Sequence, residues 1–317
     1  MHRFWGLVFG LVLLGALVLT AVSPWQQWWL PIGTSSYSAE IDWLFYAILW
    51  TVTFFYVLTE AILVYNLLKF AGPNRKAPFV HGSHRLEMLW TVIPAVILIL
   101  IAVVQIHVWA DVKYPTRITE KINDKPQEYL QVEIAARQWE YRIRYPGPAR
   151  IAEWEASKSA AQNDFAGRLP ERYDDVHTVN DLHCWKGQNV LIYLKTRDVG
   201  HSIFLPNIRV KQDALPGKTI PVWFKPTEAN TARMPGEDIW YDGQQERGQR
   251  RDRDGSMTIS WTSDPKNYTF DMVCTQYCGT RHSMMRGKLY VHPTKEDFLD
   301  WLKHTQKETH SKTVATR

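Results

Sequence analysis

The chain has 317 residues and is 45% hydrophobic. That share is ordinary, so the long apolar runs, not the average, argue for a membrane. The net charge of +5 comes largely from the arginines at 247–253 and a Lys-containing tail, which makes nucleic-acid binding a poor reading, and the 15 Trp suit interfacial belts plus an aromatic core.

Residues 1–43 open with Arg3 and an apolar run of signal-peptide or short transmembrane length. Ala21-Val-Ser23 has the small residues of a cleavage site, but Pro24 would follow the cut, so an uncleaved helix is expected. Trp25, Trp28 and Trp29 then form an interfacial cluster. Residues 44–110 predict a transmembrane hairpin with helices over Leu44–Phe70 and Leu89–Ala110, the second tolerating Pro94 near its start. The connection holds Lys69, Arg75, Lys76 and Arg85, whereas 23–43 has no Lys or Arg. The positive-inside rule therefore puts the connection in the cytoplasm and everything from Asp111 on the outer face.

From Leu130 the pattern alternates. Strands are predicted at 130–134, 139–145, 189–194, 203–205, 220–224, 257–261, 268–273 and 288–291. Many short strands between turn residues argue for a β-sandwich or barrel over 111–293, interrupted by insertions near 151–173 and 229–253. The first insertion has partly helical composition, and neither suggests a function beyond contact with another subunit. Thr294-Lys-Glu-Asp297 opens a short amphipathic helix within 294–317, followed by a disordered tail.

The chemistry concentrates in Cys274-x3-Cys278-x3-His282-x2-Met285. Two cysteines four apart are compatible with a disulfide, a zinc half-site or buried thiols. Two thiols, an imidazole and a thioether in one loop favour copper. A sulfur-bridged copper pair would need one more imidazole, and Asp198-Val-Gly-His201-Ser offers it. Cys184 is left over as a buried or partly exposed free thiol.

With Glu87-Met-Leu-Trp-Thr-Val-Ile-Pro94, Gln138-Trp139, His201-Ser, Lys211-Gln-Asp-Ala-Leu-Pro-Gly217 and the cysteine loop, the chain resembles subunit II of the haem–copper cytochrome c oxidases. The resemblance implies membrane helices followed by a cupredoxin-like Greek-key β-sandwich. It implies a binuclear copper centre, called CuA, with Cys274 and Cys278 bridging and His201 and His282 terminal. Met285 would be the weak ligand, with Met284 as its competitor, and Gln276 would contribute its backbone carbonyl. It further implies Trp139 as the electron entry, Asp198 in donor docking and Glu87 at the mouth of a proton pathway. The implied partners are catalytic subunit I, subunit III and cytochrome c or a similar donor, in a bacterial-type inner membrane. The implied work is oxygen reduction to water coupled to proton pumping, with the oxygen chemistry in the partner.

Three departures qualify the pattern. Gln276 replaces a glutamate that helps hold magnesium in many relatives, and a neutral amide is a poorer ligand for a hard cation. Tyr141 stands where a second Trp often follows Trp139, and Arg197 replaces an acid beside Asp198. Asp213 resembles the family carboxylate near the magnesium border. The sequence has no C-x-x-C-H haem-attachment motif. The rival readings are a copper-free quinol-oxidase subunit II and a membrane-anchored copper carrier.

Overall fold

The computed structural model describes residues 2–24, 26, 28–70, 79, 81–113, 129–157, 171–233, 240–242, 250–251, 257–258 and 270–315. They form two compact units, one of membrane-type helices and one built mainly of strands.

The helical unit contains α1 (His2–Val22), α2 (Ser38–Lys69) and α3 (His84–Lys113). All three are long and apolar enough to cross a membrane. At a rise of roughly 1.5 Å per residue, α2 and α3 exceed a bilayer core of about 30 Å. Both begin several residues before the predicted spans and leave large apolar side chains outward, with Leu98 and Ile99 66% and 63% exposed. Such a surface needs lipid or a partner around it. Two polar groups of α2 are satisfied inside the helix: Thr51 Oγ1 donates to Ala47 O at 2.8 Å and Asn66 Nδ2 to Ile62 O at 2.9 Å. That is what hydrocarbon demands of a polar side chain. Trp28 and Trp29 are exposed as an interfacial pair, while Trp25, Arg75 and Lys76 lie outside the described residues.

The second unit is a two-sheet β-sandwich. Its strands in chain order are β1 (Tyr129–Arg137), β2 (Glu140–Tyr145), β3 (Val176–Val179), β4 (Asp181–Trp185), β5 (Asn189–Thr196), β6 (His201–Leu205) and β7 (Val210–Ala214). They continue as β8 (Ile220–Phe224), β9 (Thr231–Arg233), β10 (Trp240–Asp242), β11 (Arg250–Arg251), β12 (Met257–Thr258), β13 (Phe270–Val273) and β14 (Arg286–His292). One sheet runs β3-β2-β1-β5-β8 and the other β4-β14-β13-β6-β7. Each holds one parallel pair, β1 with β5 and β4 with β14, which no tight hairpin can make. The chain must therefore cross repeatedly from sheet to sheet. Residues 268–269 and 259–261 of the predicted strands lie outside the described residues.

Alternation explains the core. In β1, Val132, Ile134 and Ala136 are fully buried, and the intervening Glu133 is buried in another way, through ion pairs. Arg144 Nη2 donates to Glu133 Oε2 at 2.9 Å and Nη1 to Asp175 Oδ2 at 2.7 Å, while Lys195 Nζ reaches Glu133 Oε1 at 2.6 Å. The turn between β3 and β4 stitches the two sheets. Asn180, at φ 64°, accepts from the Tyr141 amide through Oδ1 at 2.8 Å and from the Lys288 amide through its carbonyl at 2.8 Å. A Cβ at Gly287 would lie 2.3 Å from that carbonyl, so the close approach requires glycine. The loop before α2 belongs to this unit, with the Thr34 amide donating to Asn207 O at 2.7 Å and Ser35 Oγ to Ile208 O at 2.8 Å.

Strands β3, β4, β7 and β9–β11 were not expected. Their His, Asp, Lys, Gln and Arg content hides the alternation, and pairing with partner strands makes them strands. In the first insertion, α4 (Pro148–Ser157) forms and residues 158–170 lie outside the described set. In the second, β9 pairs with β10, so part of that interruption is itself β structure. Residues 234–239, 243–249 and 252–256 lie outside the described set. The terminal helix, α5 (Lys295–Ala315), is longer than expected. Thr294 Oγ1 caps it by accepting from the Asp297 amide at 3.2 Å, and no Gly or Pro follows to stop it. Its Phe298 and Leu302 are fully buried, and the Trp301 ring stacks on His183 at 3.7 Å and 10°.

Candidate metal centre

The β13–β14 loop folds into a closed cup. The Cys274 amide donates to Met285 O at 3.2 Å and the His282 amide to Gly279 O at 3.1 Å, followed by a single 3-10 turn over His282–Met284. Gly279 has φ 116°, and a Cβ there would meet Gln138 Nε2 at 3.1 Å and Trp139 Cζ2 at 3.3 Å. The loop can therefore press against the β1–β2 turn only with glycine at that point.

Inside the cup, Cys274 Sγ and Cys278 Sγ are 3.9 Å apart, both buried and reduced. That spacing is well beyond a disulfide bond of about 2.05 Å. Both sulfurs and a ring nitrogen of His201 lie within 4.8 Å of one another. His282 Nδ1 is 3.5 Å from Cys278 Sγ, and Met285 Sδ is 4.0 Å from it. Gln276 O is 3.3 Å from Cys274 Sγ. Met285 is 1% exposed whereas Met284 is 74% exposed, so the thioether turned into the cup is Met285. Burial and the neighbouring Cys274 push the Cys278 thiol up to about 11. Without a metal the thiol is the favoured form at neutral pH, and loading must release protons.

His201 is positioned from behind. It is fully buried, and its Nε2 lies 2.7 Å from Asp198 Oδ1. A carboxylate accepts, so Nε2 carries the proton and Nδ1 keeps its lone pair; Nδ1 is buried with no hydrogen-bond partner. An orphaned imidazole nitrogen beside paired thiols is what a soft metal would satisfy, and the donor set fits copper. Asp198 is itself anchored by the Gln138 and Val199 amides, both at 2.7 Å. Partial burial opposes its ionisation, but hydrogen bonds from Gln138, His201 and Val199 outweigh it and hold the carboxyl below its usual range. The next residue, Ser202, ties β6 to the loop, its Oγ accepting from the Thr275 amide at 2.6 Å.

Trp139 is half-buried on the loop's flank, and its Nε1 donates to Cys278 O at 3.3 Å. Gln138 Nε2 donates to the same carbonyl at 2.9 Å. Tyr141, which stands where a second Trp often follows Trp139, is fully buried beneath the site, its Oη donating to Ser202 O at 2.6 Å. Asp213 pairs across from Ser202 in β7, and Gln276 is exposed. Glu87 belongs to the helical unit, in the first turn of α3, its carboxylate 56% exposed and 3.9 Å from His84 Nδ1. Sequence reasoning gave no role to Gln138, Ser202 or Thr275. All three lie inside recognised motifs, but only contacts across the strands reveal their work.

Comparison with known proteins finds similarity along most of the chain. Residues 23–108 match the family described as cytochrome C oxidase subunit II, transmembrane domain. An alternative cytochrome c oxidase subunit 2 of Bradyrhizobium diazoefficiens is 24% identical over 93% of this chain and 90% of its own. A cytochrome c oxidase subunit 2 of Synechocystis sp. is 23% identical over 92% of this chain and 81% of its own. Among solved structures, the periplasmic domain of subunit II of cytochrome oxidase from Bradyrhizobium japonicum is similar, at 16% identity. It covers 56% of this chain and 94% of that one, with a TM-score of 0.34. Matched at its membrane helices and aligned along most of its length, the chain is similar to cytochrome c oxidase subunit II proteins.

Proposed function

We propose that this protein is the electron-entry subunit of a haem–copper terminal oxidase. His201, Cys274, Cys278, His282, Met285 and the Gln276 carbonyl would hold a binuclear copper centre. When bound, the copper pair supplies a one-electron carrier whose charge is shared over two metals. The observation that carries the reading is the buried, unpartnered Nδ1 of His201 in a residue grouped with two reduced thiols.

The chain's own contribution is rigidity and exclusion of water. Strands β6, β13 and β14 fix the ligand residues, so little of the site must move when an electron arrives or leaves. Asp198 selects the His201 tautomer and Gly279 lets Trp139 approach the loop. Trp139 touches the Cys278 carbonyl through its Nε1–H, giving a short bonded route from the surface to a ligand sulfur. Glu87, at the start of α3, would pass protons towards the catalytic subunit. Magnesium is not part of the proposal, because Gln276 offers an amide where a carboxylate would be needed. The copper-free alternative is not favoured by a cup that keeps both thiols and both imidazoles.

The test is spectroscopic and kinetic on the purified oxidase assembly. A mixed-valence copper signal by electron paramagnetic resonance is expected from the intact protein. Cys278→Ser should abolish that signal and bring oxidation of reduced cytochrome to background. Unchanged turnover in Cys278→Ser would end the reading.

A further inference from the structure

Among the described residues, the surface around Trp139 carries more positive than negative charge, and its carboxylates Glu140 and Asp198 are already engaged. Three segments meet there: the β1–β2 turn at Gln138–Trp139, the β5–β6 turn at Arg197–Gly200, and the metal loop. Arg281 Cζ lies 6.0 Å from the Trp139 ring centroid, within cation–π range. Arg197 is exposed beside Asp198. Arg137 Nη2 and Arg142 Nε reach the same Glu140 oxygen at 2.6 and 2.8 Å, yet remain 41% and 49% exposed. The hydrogen bond from Arg142, with help from Arg137, holds the Glu140 carboxyl below its usual range.

Four guanidiniums thus face two carboxylates. Glu140 is shared between two arginines, and Asp198 is spent on His201 and two backbone amides. Among the described residues, neither Arg197 nor Arg281 has an ion-pair partner. We infer that the donor docking over Trp139 is a redox protein with an acidic rim around its exposed redox group, and that this surface disfavours a strongly basic cytochrome. The inference rests on the electron-entry reading above and names the partner that reading leaves open. Charge complementarity selects that partner: clustered cations near the contact point steer an acidic protein and raise its encounter rate, whereas like charges lower it. Screening limits the effect to charges within about 8–10 Å of the contact at physiological salt, so the arginines beside Trp139 dominate over the chain's net charge.

The experiment uses the assembled oxidase with two reduced c-type cytochromes of similar potential, one acidic and one strongly basic. Rates of electron entry are followed by stopped flow from low to high salt. The acidic donor should react about tenfold faster or more at low salt and slow as salt rises, with the basic donor showing the opposite trend. Arg197→Glu and Arg281→Glu, made separately on two different turns, should each slow the acidic donor and flatten its salt dependence. A small phenylenediamine reductant separates the two readings. If it reduces the copper while the basic cytochrome is the faster donor at low salt, or while both cytochromes ignore salt and the arginine variants, the docking inference is overturned and electron entry stands. If neither the dye nor either cytochrome reduces the centre, electron entry itself fails.

Discussion

Asp198 shows how one side chain can change its meaning between sequence and structure. In the sequence it reads as a surface acid for docking. In the fold its Oδ1 lies 2.7 Å from His201 Nε2, and its Oδ2 accepts from the Gln138 amide at 2.7 Å. It therefore fixes the ring orientation and the proton of the proposed ligand His201, as outer carboxylates commonly do for metal-binding histidines. Asp198→Asn should weaken copper retention roughly 10–100-fold, measured by metal content after chelator challenge. A pure docking role predicts a different outcome: full copper with an altered salt dependence of cytochrome oxidation.

Among the elements, the β1–β2–β5 surface and α5 carry the stability arguments. Arg144 sits between Glu133 and Asp175 with side-chain exposures of 6%, 7% and 2%. Removing the guanidinium leaves carboxylates buried without it, at a cost of about 3–5 kcal/mol. Arg144→Leu should lower the melting temperature by roughly 10 °C, followed by calorimetry or near-ultraviolet dichroism. The α5 seam makes a different prediction. His183 Nδ1 and His292 Nε2 are 3.0 Å apart, under Trp301 and Phe298. Burial, with the opposing His292, drives His183 well below its usual range, and burial lowers His292 to about 3. Unfolded histidine titrates near 6.5, so between about 3 and 6.5 the unfolded chain binds more protons than the folded one. The stabilisation is therefore complete above about pH 6.5 and is lost as pH falls below it, by up to about 1.4 kcal/mol per unit for each histidine. Denaturant melts at successive pH values should show this slope, and His292→Gln should flatten it.

For the molecule as a whole, three apolar helices and a β domain fit a multi-pass inner-membrane protein with its C-terminal domain on the outer face. The three native thiols are buried, so introduced cysteines can report sidedness. Lys303→Cys on α5 should react with a membrane-impermeant maleimide in intact spheroplasts. Ser83→Cys, before α3, should react only after the membrane is opened. The reverse pattern would invert the topology.

Helix spans, the β domain and the candidate ligands Cys274, Cys278, His282, Met285 and His201, which the fold gathers in one place, were legible in the letters of the chain. Apolar run length, alternation and ligand spacing are local properties, so they survive without coordinates. Strands β3, β4 and β7 were not legible, because polar residues become strands there only through partners far along the chain. The continuation of α5 was missed because a Lys- and Thr-rich composition reads as tail, although nothing in it stops a helix. The burial of Met285 and of Tyr141, the hold of Asp198 on His201 and the approach of Arg281 to Trp139 emerged only from the folded chain. Each depends on which way a side chain turns once distant strands pack, and spacing along a chain carries no record of that.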